Sequence, residues 1–284
     1  MHYLYISFAA SILVLILFVL VIHLGYRAPR IPERKDPSDW GLRFDVAFIP
    51  GAHGKKLHTW WIPISEEAPT LILMHGWGGN MELMLPLALP FRHAGMNVFL
   101  LDARNHGKSD PDSYSAMPRF AEDVGCAIDW VKTRAKGKIV LLGHSVGAGA
   151  VLLEASRRDD IDAVVSIAAF AHPEWVMRRQ LERYKLPKVL INAVLRYIEW
   201  VIGHRFVDIA PMNTACRALC PVLLVHGTDD RTVPLSDAHA IVGNCPDRNL
   251  QLLEIAGADH DSTDRIDPHA PELLAYLHAI GVLA

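Results

Sequence analysis

Six solid apolar runs, each four to six residues long and bounded by turn-forming residues, punctuate this chain. They are Thr70–Met74, Asn97–Leu101, Ile139–Leu142, Ala163–Ile167, Val222–Val225 and Leu250–Ile255. A strand that faces water on one side alternates apolar and polar residues, so unbroken runs of this length fit strands buried on both faces. Stretches with helical spacing separate them: Met81–His93, Phe120–Arg134, Ser145–Arg157, Leu235–Gly243 and Pro271–Ala279. Strand alternating with helix predicts a mostly parallel sheet flanked by helices, the α/β class. Ahead of the first run, Phe44–Ile49 and Leu57–Ile64 read as an antiparallel hairpin. With 51% hydrophobic and 21% charged residues, the chain has material for one large core, expected over residues 42–284.

The alternation breaks once. Residues 169–219 hold two amphipathic stretches, Trp175–Tyr184 and Val189–Ile202, and read as a helical lid insertion. Before the domain, residues 3–24 carry no Asp, Glu, Lys or Arg, and a helix of that length reaches ~33 Å, enough to span a bilayer. Residues 1–26 are therefore expected as a transmembrane anchor and 27–41, with Pro29, Pro32 and Pro37, as a stiff spacer. Arg27, Arg30, Arg34 and Lys35 on the carboxyl side predict a cytoplasmic domain by the positive-inside rule.

A net charge of −3 without a basic face argues against a nucleic-acid partner. Four cysteines, Cys126, Cys216, Cys220 and Cys245, are too few and too irregular for a disulfide scaffold, and read as reduced, packed thiols. They also lack the paired spacing of a zinc site, so no metal is expected.

The chemistry is carried by Gly143-His144-Ser145-Val146-Gly147, directly after an apolar strand and directly before a helix. A serine on so sharp a turn needs small flanking residues, and the following helix aims N–H groups at the site. His75-Gly76-Trp77-Gly78-Gly79 follows Thr70–Met74, and Asp102-Ala103-Arg104-Asn105-His106-Gly107-Lys108-Ser109 follows Asn97–Leu101. Farther on come His226-Gly227-Thr228-Asp229-Asp230-Arg231-Thr232-Val233-Pro234 and Ala256-Gly257-Ala258-Asp259-His260.

Together these stretches resemble the α/β-hydrolase superfamily from about Leu42 to the end, and most resemble its small membrane-tethered esterases, thioesterases and lysophospholipases. The resemblance implies Ser145 as nucleophile, His260 as general base and Asp230 as the acid that orients it, with Asp229 as the adjacent rival. It also implies backbone N–H groups of Trp77 and Val146 as an oxyanion hole, no cofactor, and a small acyl ester or thioester as substrate. His144 reads as structural. Trp175, Met177 and Leu181 are candidate substrate contacts, on a lid that could also rest on a bilayer. The fold alone does not choose the acyl donor, so a peptidase, a perhydrolase and a non-catalytic membrane-anchored scaffold stand as alternatives.

Overall fold

The computed structural model of the 284-residue chain describes residues 5, 13, 18–20, 22–25, 27–246, 250–262 and 267–283. The strands are β1 (Asp45–Pro50), β2 (Lys56–Ile62), β3 (Thr70–Met74), β4 (Asn97–Leu101), β5 (Ile139–His144), β6 (Ala163–Ile167), β7 (Val222–Gly227) and β8 (Leu250–Ile255). They form one eight-stranded sheet in the order β1-β2-β4-β3-β5-β6-β7-β8. The β1–β2 and β2–β4 pairs are antiparallel, and every other pair is parallel.

Burial follows position in that order. β3, β4 and β6 are buried at every residue, whereas the edge strands β1 and β8 are largely exposed or half-buried. Successive side chains of a strand point to opposite faces. Ile72 and Met74 accordingly enter one apolar layer, and Leu71 and Leu73 the other. The first layer is covered by α2 (Met117–Lys132) and α3 (Val146–Ala155), the second by α1 (Met81–His93). Also in the first layer is α5 (Lys188–Ile202), which follows the shorter α4 (Pro173–Glu182).

The stretch expected as a lid also contains α6 (Phe206–Ile209) and α7 (Pro211–Arg217), and α7 packs against α3 and against α8 (Leu235–Asn244). The last helix, α9 (Ala270–Ala279), belongs to the second layer. From β3 the chain crosses to β4 on one side and returns to β5 on the other. Such a reversal opens a crevice at the carboxyl ends of the two strands, the usual ligand position in an open α/β sheet.

The cysteine expectation needs correction. Cys216 and Cys245 form a disulfide with Cα atoms 5.1 Å apart, while Cys126 and Cys220 are free. The partners stand 29 residues apart and meet only because α7 packs on α8, so spacing along the chain could not reveal the pair.

The expected membrane segment, residues 3–24, lies mostly outside the described residues. Among the described residues no helix is long and apolar enough to cross a membrane. The stretch expected as a spacer is laid on the domain. Arg30 Nη1 donates to the Gly107 and Ser109 carbonyls at 3.0 and 2.9 Å, and Asn80 Nδ2 donates to the Ile31 carbonyl at 3.1 Å. Glu33 reaches Lys108 Nζ at 2.6 Å. Prolines stiffen such a segment, but its charged and polar groups find partners that the proline pattern does not announce.

Candidate active site

Ser145 stands between β5 and α3 with φ 54° and ψ −115°. A non-glycine residue in this left-handed region is strained, and the surroundings must hold it there. The Ser145 N–H donates to the Ile167 carbonyl at 2.9 Å, fixing the turn to the end of β6. The flanking glycines are required by space. A Cβ on Gly143 would collide with the Gly147 carbonyl, and one on Gly147 with the Met74 carbonyl.

The loops after β7 and β8 bring the other two groups to the same edge. His260 Nε2 lies 2.9 Å from Ser145 Oγ, and His260 Nδ1 lies 2.7 Å from Asp230 Oδ2. Asp230 Oδ1 accepts from the Thr232 and Val233 N–H groups at 2.9 and 2.7 Å. Burial pushes the Asp230 carboxyl up, and the His260 and Val233 bonds outweigh it, so the group is held below the usual carboxylate range. Asp229 is exposed and accepts from the Thr228 hydroxyl. Geometry thus brings Asp230 to the imidazole and leaves its neighbour outside. The two loops are tied together where the Asp229 N–H donates to the Ala258 carbonyl at 3.0 Å.

His144 touches the site from beneath. Its Nε2 lies 2.8 Å from the His260 carbonyl oxygen, so the ring donates there and fixes the loop that carries the imidazole. Burial, with His260 beside it, pulls the His144 pKa down and keeps the ring neutral.

The loop after β3 rests on two more buried histidines. His75 Nε2 accepts from the Ala103 N–H at 3.0 Å, and His106 Nε2 accepts from the Gly78 N–H at 3.1 Å. Each ring donates its Nδ1–H to a backbone carbonyl, of Gly76 and Arg104 respectively. Burial pulls their pKa values to about 3 and about 4, which keeps both rings neutral and able to accept. Asp102 accepts from the Met81 and Lys108 N–H groups and contacts His58 Nδ1 at 3.1 Å. The motif from Asp102 to Ser109 is therefore a scaffold under the Gly76–Gly79 loop. The motifs alone do not give His75 and His106 this role; the signal for it is a pair of His in Gly-rich loops after consecutive strands.

A cavity of about 1460 Å³ opens above Ser145 and His260. Trp77, Val146, Met177 and Leu181 line it, so these expected residues meet at one place. Trp175 does not line it. Its ring stacks on His172 at 5.8 Å and is 40% exposed, because Met177 and Leu181 share one face of α4 at i, i+4 while Trp175 falls off that face. Two clusters, His144–His260–Asp261 and Glu33–His58–Asp102, bring ligand-type atoms within 4.8 Å of one another. In the first, both ring nitrogens of His260 are engaged with Ser145 and Asp230, and a metal there would have to break those contacts.

An eight-stranded, mostly parallel sheet with a strand–Ser–helix elbow and an apolar cavity at its carboxyl edge defines the α/β-hydrolase fold. The chain belongs to the family Hydrolase_4, "Serine aminopeptidase, S33", which matches residues 65–220, and it is a hydrolase of that family. The match spans Ser145 and the Gly76–Gly79 loop but ends before Asp230 and His260. Among curated relatives, the uncharacterized protein YfhR of Salmonella typhi is 26% identical over 244 residues, 80% of each chain. The uncharacterized membrane protein YNL320W of Saccharomyces cerevisiae is 25% identical over 80% of this chain and 77% of its own. The Pyrococcus furiosus esterase Pf2001 superposes with a TM-score of 0.74 at 22% identity, over 90% of this chain and 100% of that one. At these identities the structural likeness speaks for the fold.

Proposed function

We propose that this hydrolase is a serine esterase or thioesterase acting on acyl, lipid-like substrates through an acyl-enzyme on Ser145. The observation that carries the reading is the unbroken relay of 2.7 and 2.9 Å from Asp230 through His260 to Ser145, under a cavity lined largely by apolar side chains. In the first half-reaction Ser145 Oγ bonds to the acyl carbon, its proton passes to His260 Nε2, and the carbonyl electrons move onto the oxygen. The backbone N–H groups of Val146 and Trp77 hold that oxyanion, a single donor being worth about 3 kcal/mol. Collapse breaks the bond to the leaving alkoxide or thiolate, which takes the proton from His260. Water then gives His260 a proton, bonds to the acyl carbon and displaces Ser145, which recovers its hydrogen. Asp230 holds the ring tautomer and stabilises the imidazolium throughout. Nothing in this sequence calls for a cofactor.

The test is labelling with a fluorophosphonate probe and turnover of p-nitrophenyl acyl esters, with Ser145→Ala as control. Both signals vanish in the variant if the reading holds, and undiminished turnover rejects it. A second reading, an aminopeptidase, is favoured by the family description and by Asp261, which lines the cavity next to His260 and could pair with a substrate ammonium group. Amino-acid p-nitroanilides separate the two.

The amino-terminal segment is proposed to tether the enzyme to a membrane. Its apolar composition and the name of the yeast relative support this. The basic flank favours a cytoplasmic domain, whereas the Cys216–Cys245 disulfide is of a kind that persists in oxidising compartments. Protease protection in sealed vesicles decides the side.

A further inference from the structure

The cavity is larger than the about 300–1,000 Å³ common for small-molecule sites, and part of its wall comes from residues ahead of the stretch 65–220 that matches the family. Phe18, Ile22 and His23 line the same cavity as Ser145 and His260. Residues 18–20 and 22–25 are helical, and Phe18 and Ile22, at i, i+4, pack half-buried against the main core layer. Leu20 and Leu24, on the opposite side, are 50% and 53% exposed. The His23 ring stands 6.1 Å from that of Tyr197 in α5, which seats the segment against that helix.

The chain that follows is stitched along the edge of the site. Pro29 lies against Gly78, where a Cβ would stand 3.0 Å from its ring, and Arg30 caps the Gly107 and Ser109 carbonyls. Four successive contacts, through Pro29, Arg30, Ile31 and Glu33, give this stretch a defined path into the wall.

Building on the esterase reading, we infer that Phe18 and Ile22 are specificity-determining residues that select long-chain acyl esters or thioesters. An apolar wall from outside the hydrolase core adds contact for methylenes far from the reacting carbonyl. Each methylene buried there is worth about fourfold in kcat/KM.

The full-length protein in lipid nanodiscs is assayed with p-nitrophenyl esters from acetate to palmitate, and separately for binding of a pyrene-labelled fatty acid. Substrate partitions into the disc equally for every variant, so comparison with wild type isolates the wall. Phe18→Ala is expected to lower the long-to-short ratio of kcat/KM about tenfold, through KM, and to weaken fatty-acid binding. Ile22→Trp, which fills the cavity instead of emptying it, is expected to move the optimum to shorter chains. Chain-length profiles and fatty-acid affinities equal to wild type in both variants overturn the inference while leaving the esterase reading standing. Binding weakened by both variants, with no ester turned over by any form and no probe on Ser145, upholds the wall and removes the esterase reading.

Discussion

The floor and the roof of the cavity are held by different means. At the floor, the loops leaving β3, β5, β7 and β8 are pinned by bonds of 2.7–3.1 Å from buried, neutral histidines and from backbone N–H groups. At the roof, α5 buries Ile191, Val194, Leu195 and Ile198 on one face, yet leaves Val189 81% and Trp200 76% exposed on the other. Charged contacts, such as Arg179 with Asp237 and Glu33 with His58, tie the roof down. The loops that set the Asp230–His260–Ser145 geometry are thus held by short-range bonds from neutral groups, which respond little to pH and salt. The wall above them is built from apolar faces and ion pairs.

The sharpest way to break this contrast is at the floor. Ser145→Ala should lower kcat by about 10⁴–10⁶-fold toward p-nitrophenyl esters, with thermal stability close to wild type. Asp230→Asn should follow with a loss of about 10⁴-fold, because the amide no longer fixes the imidazole tautomer. Asp229→Asn, whose carboxylate faces solvent, should stay within about threefold. Equal losses in the two aspartate variants would mean that the acid has been misassigned.

His144 tests whether the pinning itself matters. His144→Leu removes the donor to the His260 carbonyl, and a shift of about 1 Å in the imidazole is enough for a loss of about 10²-fold. The loss should fall on kcat and leave KM little changed. His144→Gln, which keeps an N–H donor, should recover part of it. A leucine variant as fast as wild type would show that the loop holds its place without this bond.

The contrast also explains what could be read from the sequence. The structure places a strand at each of the six runs, and five were legible because strands buried on both faces need no polar residue; the sixth, β8, is instead an edge strand with Gln251 and Glu254 exposed, where no further strand covers it. β5 and β7 run on to His144 and to Gly227, past the expected ends, because their last residues already belong to the polar site and break the apolar pattern. The elbow and the two following loops were legible because close approach and turn geometry demand particular residues at fixed spacing. The roof was not. The pairing of Cys216 with Cys245, the stacking of Trp175 on His172 and the seating of Phe18 and Ile22 on the cavity all depend on contacts between distant segments. Periodicity says that a helix has an apolar face, and packing alone decides what that face touches.

The smallest predicted effect concerns the ion cluster that holds the roof's amino-terminal edge. His58 contacts Asp102 at 3.1 Å and Glu33 at 3.4 Å, with side chains almost fully buried. Burial pulls the His58 pKa down, and the two carboxylates outweigh it, so the value is raised above the ordinary 6.5. For a group raised in this way, the stabilisation is complete below the unfolded value and is lost as pH climbs through the folded one. Glu33 has the opposite sign. Burial pushes it up, but His58, Asp102 and Lys108 outweigh that and hold it at about 2 against an ordinary 4.5, so its contribution is lost as pH falls through about 2. Both contributions are present together from pH 4.5 to 6.5. Lys108 is 61% exposed and adds little, which leaves the His58 contact to carry the effect. Glu33→Gln should therefore lower stability by about 1–3 kcal/mol near pH 5.5, a fall in Tm of a few degrees, with a difference from wild type that shrinks above neutral pH. Melting curves of both proteins across that range check it. A difference that stayed constant from pH 5 to 9 would mean that Glu33 holds the edge by packing, and that the roof is as indifferent to pH as the floor.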